Sequence, residues 1–272
     1  MPTPTSRARP RPQPCDTTAS SLPARGLQRP RLAGAVLVLS LLGGCAGAPH
    51  KPAATQPTPE TIAAQAVSYL RGGRTQPALE LLSKALQKHP DAPGLWKTLG
   101  LTLARMKRDR QADQAFRRAL KLAPDDGSVH NDYGVFLCRG QYFDRARAQF
   151  KAATDNPRYA TPQYAWTNLG ICALRQDRAE LARRGFRQAL TSAPDFAPAL
   201  YQMAKLEAGQ GRARRATTYL KRLRQSGTQT PQSLSLCMSV YKRLDDFDQA
   251  GRCAQELYRQ FPHSHEAQAL LQ

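Results

Sequence analysis

The chain of 272 residues lacks any apolar run long enough to span a membrane. Its longest such run covers residues 32–42, which is about half of the roughly 20 residues that a transmembrane helix needs. Acidic side chains are also scarce: 20 Asp and Glu stand against 40 Lys and Arg, and the net charge is +20. These two shortages argue against a membrane-spanning helix and favour anionic partners.

Histidine is too sparse to indicate a catalytic or metal centre. Only five are present, and of these only His263 and His265 lie close together along the chain. Two histidines two positions apart are a weak metal signature, and no glycine-rich phosphate loop or nucleophilic serine turn accompanies them. We therefore expect no enzyme activity, no metal, no cofactor and no small-molecule substrate.

The short apolar run has instead the layout of an export signal. Arg25, Arg29 and Arg31 precede it, and the sequence Leu-Gly-Gly-Cys at positions 42–45 follows directly. This tetrapeptide resembles the lipobox of bacterial lipoproteins, which implies cleavage before Cys45 and acylation of its sulfur. Residue 46 is alanine and not aspartate, which in lipoprotein sorting implies an outer-membrane destination. The alternative is an ordinary signal peptide in which the cysteine is coincidental.

This interpretation divides the N-terminal part into two segments. Residues 1–44 form a signal peptide with an extended n-region, and residues 45–58 form the lipidated cysteine and a flexible tether. Cleavage removes six arginines and one aspartate, which leaves 34 basic and 19 acidic residues and a net charge of +15. That charge favours anionic partners, and a basic composition spread over all solvated faces is an equal alternative. Export argues against nucleic acid as the partner.

From residue 59 onward the chain has an internal period of about 34 residues. A small or flexible residue recurs once per period, and alanine recurs twelve positions after it. The two sets are Ala66, Gly100, Gly134, Gly170, Ala204 and Met238, and Ala78, Ala112, Ala146, Ala182, Ala216 and Ala250. With large apolar residues and closing prolines at helical spacing, this pattern resembles the tetratricopeptide repeat. The resemblance implies an all-α superhelix of about six helix-turn-helix units.

The period predicts six units, and positions within a unit are called places below. The units are 59–92, 93–126, 127–160, 163–196, 197–230 and 231–264, followed by a short C-terminal cap at 265–272. Small residues at the eighth and twentieth places let two antiparallel helices approach closely, and large apolar residues fill the space around them. Between the third and fourth units, a segment with Pro157 and Pro162 predicts a rigid elbow.

Four cysteines fall within the repeats, and an oxidising periplasm permits them to form disulfides. Cys138 and Cys172 lie on the first helices of neighbouring units, whereas Cys237 and Cys253 lie on the two helices of one unit. The pairs 138–172 and 237–253 are the only ones that need no long-range rearrangement. The alternative is four buried free thiols, because cysteine packs well in helical cores.

Arginine recurs at the thirteenth place of five units, at the end of the first helix. The resemblance to the tetratricopeptide repeat implies that this place faces a concave groove. A row of arginines there suits a peptide that carries carboxylates or exposed carbonyl groups, because arginine binds these groups in a bidentate fork. A cation at this place also complements the helix dipole, and this alternative stays open. The predicted groove residues are Arg71, Arg105, Arg139, Arg175, Arg243, Asn131, Tyr164 and Tyr201.

The third and fourth units carry a more specific resemblance. The segments Asn131–Cys138 and Pro162–Ala173, together with the elbow and the lipobox, resemble type IV pilus biogenesis and stability lipoproteins of the PilF/PilW family. The resemblance implies a pilotin, an outer-membrane lipoprotein facing the periplasm that binds secretin subunits and promotes their localisation and multimerisation. The alternative is a tetratricopeptide lipoprotein that recruits cell-wall or outer-membrane assembly factors.

Overall fold

The computed structural model describes residues 56–270, so the predicted signal peptide, Cys45 and most of the tether lie outside the described residues. Within that range the chain forms thirteen α-helices and no β-strand, which confirms the predicted all-α superhelix. The helices are α1 Pro59–Arg71, α2 Thr75–Lys88, α3 Pro93–Arg105, α4 Asp109–Leu122, α5 Gly127–Arg139, α6 Phe143–Asp155, α7 Pro162–Leu174, α8 Ala179–Ser192, α9 Ala197–Gly209, α10 Ala213–Gln225, α11 Pro231–Lys242, α12 Phe247–Gln260 and α13 His265–Gln268.

The first twelve helices form six hairpins that stack in chain order. Each first helix packs against the second helix of its own unit and against the first helix of the next unit. The short helix α13 packs against α11 and α12 and covers the end of the stack. Because each hairpin buries its apolar faces against its neighbours, the stack forms a superhelix. None of the helices between residues 56 and 270 combines the length and apolarity required to cross a bilayer.

Proline and capping side chains determine where the first helices begin. Pro59, Pro93, Pro162 and Pro231 each occupy the first helical position, where a missing N–H group leaves no hydrogen bond unmade. The α5 helix has no such proline, and there the Asp126 carboxylate accepts hydrogen bonds from two backbone N–H groups of the first turn.

The core of each hairpin is built on a pair of residues at the eighth and twenty-fourth places. In units two, three and four, glycine faces a fully buried phenylalanine. A Cβ atom on Gly134 would lie 2.7 Å from Cε1 of Phe150, so no larger residue fits without movement. Units one and five use alanine with leucine, and unit six uses methionine with alanine. Units with a larger residue at the eighth place have a smaller partner at the twenty-fourth place, so the two helices stay close.

The turn within each hairpin has a left-handed residue at the fifteenth place. The residues are Gly73, Lys107, Gln141, Asp177, Gly211 and Asp245, and their φ angles lie between 55° and 74°. The period does not reveal this requirement, because only two of the six residues are glycine. The other four carry a Cβ atom in a conformation that costs roughly 1–2 kcal/mol for such residues.

The segment between units three and four folds back on the start of unit three. The Asn156 side chain donates a hydrogen bond to the carbonyl oxygen of Asp125, and Arg158 pairs with the Asp125 carboxylate at 3.0 Å. The ring of Tyr159 covers Gly127, where a Cβ atom would lie 2.6 Å from its Cγ atom. These contacts hold the segment against unit three ahead of α7.

Candidate protein-binding groove

The first helices of units one to four surround a concave depression of about 660 Å³. We call it the groove. Its lining is a mixture of apolar, charged and amide side chains, as protein-binding grooves require. The apolar lining comprises Val67, Leu70, Leu101, Ala104, Val135, Phe136, Tyr142 and Tyr164, and the charged lining comprises Arg71, Arg105, Arg139, Asp109 and Asp132.

The structure brings together five of the eight residues predicted to line a groove. These are Arg71, Arg105, Arg139, Asn131 and Tyr164. It does not place the remaining three in the same depression, and these are Arg175, Arg243 and Tyr201. Tyr201 lies towards the C-terminal end, where burial and the charge of Glu266 raise its pKa. The concave site is therefore concentrated in the N-terminal units.

Three arginines of the thirteenth place donate hydrogen bonds to the preceding unit. Nη1 of Arg175 lies 3.2 Å from the carbonyl oxygen of Cys138, and Nη1 of Arg243 lies 2.9 Å from that of Ala208. Arg105 donates in the same way to the carbonyl oxygen of Leu70. Each acceptor lies one residue before the end of the first helix of the preceding unit, where carbonyl groups have no partner within their own helix. These arginines therefore link successive units.

Arg71 and Arg139 differ from those three. Among the described residues neither donates a side-chain hydrogen bond, and both are exposed where they line the groove. Arg71 belongs to the first of the described units, so no described unit precedes it to offer a carbonyl group. Their guanidinium groups are available to a bound carboxylate or carbonyl, which makes them the strongest candidates for partner contact.

A chain of polar side chains crosses from α7 to α5 and α3 beside the groove. Asn168 donates to Asn131 at 2.9 Å, and Asn131 donates to Asp132 at 3.3 Å. Lys97 lies 4.0 Å from the same carboxylate and donates to Ser128 at 2.7 Å. Burial raises the pKa of Asp132, and the Lys97 charge and the Asn131 hydrogen bond only partly offset it.

Among residues 56–270 two disulfides are present, and they are the two pairs expected from the repeat geometry. Cys138 and Cys172 join α5 to α7 with their Cα atoms 5.9 Å apart, and both residues are buried. Cys237 and Cys253 join the two helices of unit six with their Cα atoms 6.1 Å apart. The first bond joins the two helices that contribute Asn131 and Tyr164 to the groove.

A polar cluster that no sequence motif indicates connects units two and three. Oδ1 of Asp113 accepts hydrogen bonds from the Tyr133 hydroxyl at 2.7 Å and from Arg145 at 2.9 Å, and Arg117 lies 2.7 Å from Oδ2. Burial is the largest single influence on the carboxyl group and opposes its charge. Together, the hydrogen bonds and the neighbouring cations outweigh it and lower the pKa of Asp113.

A second cluster connects units four and five around Glu207. Its side chain is only 3% exposed, and Nε of Arg183 lies 2.9 Å from one of its oxygens. Arg212 binds the other oxygen, and Arg183 also reaches Glu180 and Gln210. In both clusters, side chains link the second helix of one unit (α4 or α8) to the following hairpin. Across residues 56–270, no group of three or more His, Cys, Asp or Glu is arranged to hold a metal ion.

Comparison with known proteins connects this architecture with a family. Two tetratricopeptide repeat models match residues 69–132 and 135–197. The type IV pilus assembly protein PilF of Pseudomonas aeruginosa is 26% identical over 202 residues, which cover 74% of this chain and 80% of PilF.

Solved structures give the same result over a similar span. The crystal structure of PilW, described as a widely conserved type IV pilus biogenesis factor, superposes with a TM-score of 0.67 at 28% identity and covers 78% of this chain and 98% of PilW. The structure of Pseudomonas aeruginosa PilF gives a TM-score of 0.64 at 25% identity and covers 78% of this chain and 96% of PilF. The chain is therefore a tetratricopeptide repeat protein, homologous to PilF and similar in structure to PilW.

Proposed function

We propose that this protein is a type IV pilus biogenesis lipoprotein that acts as a pilotin. The observation that carries the proposal is its likeness to PilW and PilF, which extends over 98% and 96% of those structures. In this role a lipid on Cys45 anchors the chain in the outer membrane, and the tether lets the repeats reach into the periplasm. The repeats bind secretin subunits and promote their localisation and multimerisation.

The groove is the proposed contact surface for the secretin. Its apolar lining can bury side chains of a bound segment, while Arg71 and Arg139 offer donors to carboxylate or carbonyl groups of the same segment. The stacked units and the Cys138–Cys172 bond keep the surface preformed. A preformed surface limits the entropic cost of binding to the ordering of the partner. The role requires binding alone and no catalysis.

Deletion of the gene tests the role in the cell. The expected result is a loss of surface pili and a reduced amount of secretin multimer on a denaturing gel. Re-expression of the native chain should restore both, and re-expression of Cys45→Ser should restore neither because the protein is not anchored. Normal secretin multimers in the deletion strain would refute the pilotin role. Co-purification of cell-wall or outer-membrane assembly factors in that case would favour the scaffold alternative.

A binding measurement tests the groove itself. The double variant Arg71→Ala/Arg139→Ala should weaken binding to the purified secretin by on the order of tenfold, because charged anchors at interface centres carry much of the affinity. The matched control is Arg184→Ala/Arg187→Ala on α8, which removes the same charge from exposed positions outside the groove. Equal losses in both double variants would contradict a role for the groove.

A further inference from the structure

Three places on the second helix of a unit contact the next unit along the stack. At the seventeenth place of unit five, Ala213 lies in a buried cluster that includes residues of unit six. At the twenty-first place, Asp113 of unit two and Arg183 of unit four bind side chains of the following unit. At the twenty-eighth place, Arg224 of unit five pairs with Glu256 of unit six at 2.6 Å. These places therefore belong to the face on which the next hairpin stacks.

In unit six the same three places are exposed. They are Phe247, Gly251 and Tyr258 on α12, and the two aromatic side chains are 66% and 54% exposed. A Cβ atom on Gly251 would have no neighbour within 4 Å. The short helix α13 packs against α11 and α12, but among residues 56–270 nothing covers these three residues. The stacking face of unit six is therefore open, and exposed aromatic side chains on such a face mark an interaction site.

The residues of this face are spaced symmetrically along α12. With the half-buried Ala254 beside them, they follow the order Phe247, Gly251, Ala254 and Tyr258, at steps of four, three and four residues. Steps of three and four residues keep all of them on one side of the helix. The order of sizes, which is large, small, small and large, is the same in both directions. We call these four residues the end stripe.

A stripe with this symmetry is complementary to a second copy of itself. When two α12 helices lie antiparallel about a two-fold axis between Gly251 and Ala254, Phe247 of each copy lies opposite Tyr258 of the other. Gly251 then lies opposite Ala254, and these small residues let the helices approach closely at the centre. The aromatic rings pack against each other at both ends of the contact.

Charged side chains beside the end stripe favour the antiparallel arrangement. Asp248 and Arg259 are exposed on the same side of α12, and neither forms an ion pair within the described chain. Within one helix they are about 16 Å apart along the axis, which is too far for them to pair. In the antiparallel arrangement, Asp248 of one copy and Arg259 of the other differ by only about 3 Å along the axis. A parallel arrangement would place each charge beside its like.

We propose that the end stripe is a dimerisation surface, on which α12 of one copy packs antiparallel against α12 of a second copy. One helix from each copy buries less than the roughly 1,200 Å² of stable interfaces, so the dimer is weak and depends on concentration. The dimer goes beyond the proposed function, since it requires neither Cys45 nor the groove. It uses unit six alone, whereas units one to four form the groove, so each dimer keeps two grooves available.

Sedimentation velocity tests the inference with the full chain carrying Cys15→Ser/Cys45→Ser. These changes prevent acylation and stop the two cysteines from linking copies through disulfides. The fraction of dimer should rise as the protein concentration increases from about 1 μM to about 500 μM. The apolar run at residues 32–42 is the same in all variants and contributes equally.

A single substitution at the centre of the end stripe locates the contact. Gly251→Glu should raise the dissociation constant of the dimer by about tenfold or more, because it places a charge and a larger side chain between the two helices. Glutamate is a better helix former than glycine, so α12 should stay folded. The matched control Gln188→Glu on α8 makes the same charge change at an exposed position and should alter the constant by less than about twofold.

A charge exchange tests the antiparallel direction. Asp248→Arg alone should raise the dissociation constant by about threefold to tenfold, because each dimer then holds two repulsive contacts. Asp248→Arg/Arg259→Asp restores opposite charges between the copies and should return the constant to within about twofold of the native value. The two residues are too far apart within one copy to restore each other. Circular dichroism confirms that each variant is folded.

Three outcomes would overturn the inference: one monomeric species at every concentration, equal effects of Gly251→Glu and Gln188→Glu, or no restoration of the dimer by the charge exchange. A strain that loses pili on deletion, while the purified protein stays monomeric, would support the proposed function and refute dimerisation alone.

Discussion

Units two to four and units five and six close the same helical hairpin with different residue pairs. In the earlier units glycine lies against phenylalanine, as in the pair Gly134 and Phe150. In unit five Ala204 accompanies Leu220, and in unit six Met238 accompanies Ala254. The helices pack in all of them because the two side chains of each pair keep a similar combined size. The repeat therefore constrains the volume of the pair more strongly than the identity of either residue.

The largest loss of stability should come from removing the large side chain at the twenty-fourth place of a unit that has glycine at the eighth place. Phe150→Ala removes a fully buried ring that faces Gly134, and neither residue can fill the space, so we expect a loss of about 3–5 kcal/mol in the free energy of unfolding. Leu220→Ala in unit five should lose less, because leucine is smaller and 6% exposed. Urea denaturation followed by circular dichroism measures both. A larger loss for Leu220→Ala would contradict the comparison.

The two disulfides extend the comparison to covalent links. Cys138→Ala/Cys172→Ala opens a ring of sequence separation 34, whereas Cys237→Ala/Cys253→Ala opens one of 16. Each double variant should lose about 2–4 kcal/mol, and the loop-entropy relation makes the first loss greater by roughly 0.7 kcal/mol. Chemical denaturation of both variants and of the reduced native protein tests the expectation. If reduction left the native protein as stable as before, the expected contribution of both bonds would be wrong.

Adding a methyl group at the eighth place tests whether the sizes of the two paired side chains compensate each other. Gly134→Ala places a Cβ atom 2.7 Å from Cε1 of Phe150 and should lose about 1–3 kcal/mol. The double variant Gly134→Ala/Phe150→Leu recreates the pair found in units one and five and should be more stable than the sum of the single changes predicts. Strict additivity in this double-mutant cycle would show that the two side chains do not compensate each other.

Two aspartates on neighbouring hairpins should give opposite pH dependences. The pKa of Asp113 is lowered, so its contribution to stability is present above the unfolded pKa and is lost as pH falls through the folded pKa. The pKa of Asp132 is raised by burial, so its contribution is fully present below the unfolded pKa and is lost as pH rises through the folded pKa. Asp113→Asn should therefore destabilise at pH 7 by about 1–2 kcal/mol.

The same pH series provides the matched control. Asp132→Asn should be neutral or slightly stabilising at pH 7, and its difference from the native chain should shrink as the pH falls below about 4. Urea titrations between about pH 3 and pH 7 check both slopes. Parallel pH profiles for the two variants would be inconsistent with the opposite pKa directions.

The smallest effect on stability should come from the left-handed residue at the fifteenth place, which is glycine in units one and five and a larger residue in the others. Gly73→Ala in unit one should lose about 1 kcal/mol, and Lys107→Gly in unit two should gain up to about 1 kcal/mol, because only glycine adopts this φ without strain. Thermal denaturation of the two variants measures the difference. A loss of stability in Lys107→Gly would mean that unfolded-state entropy outweighs the relief of strain.

The helices and the packing of each hairpin were readable from the chain itself. Spacing of three and four residues between apolar positions predicts helices, and prolines such as Pro93 and Pro162 mark where they begin. Small residues at the eighth and twentieth places predict that the two helices of a unit approach closely. The resemblance to the tetratricopeptide repeat implied that Arg71 and Arg139 face a concave groove. The helices needed only local periodicity, whereas the groove also needed the resemblance.

What the sequence determined by itself is the set of repeating helices and the face on which each residue lies, since both follow from spacing along one helix. The tertiary structure decided which arginines are engaged: Arg105, Arg175 and Arg243 bind carbonyl groups of the preceding unit, while Arg71 and Arg139 line the groove without doing so. It also decided the clusters around Asp113 and Glu207, in which Tyr133 and Arg183 come from another unit than the carboxylate that they bind. Backbone carbonyls and side chains of different units meet only when the units stack, so the spacing of the repeats does not predict which of them pair.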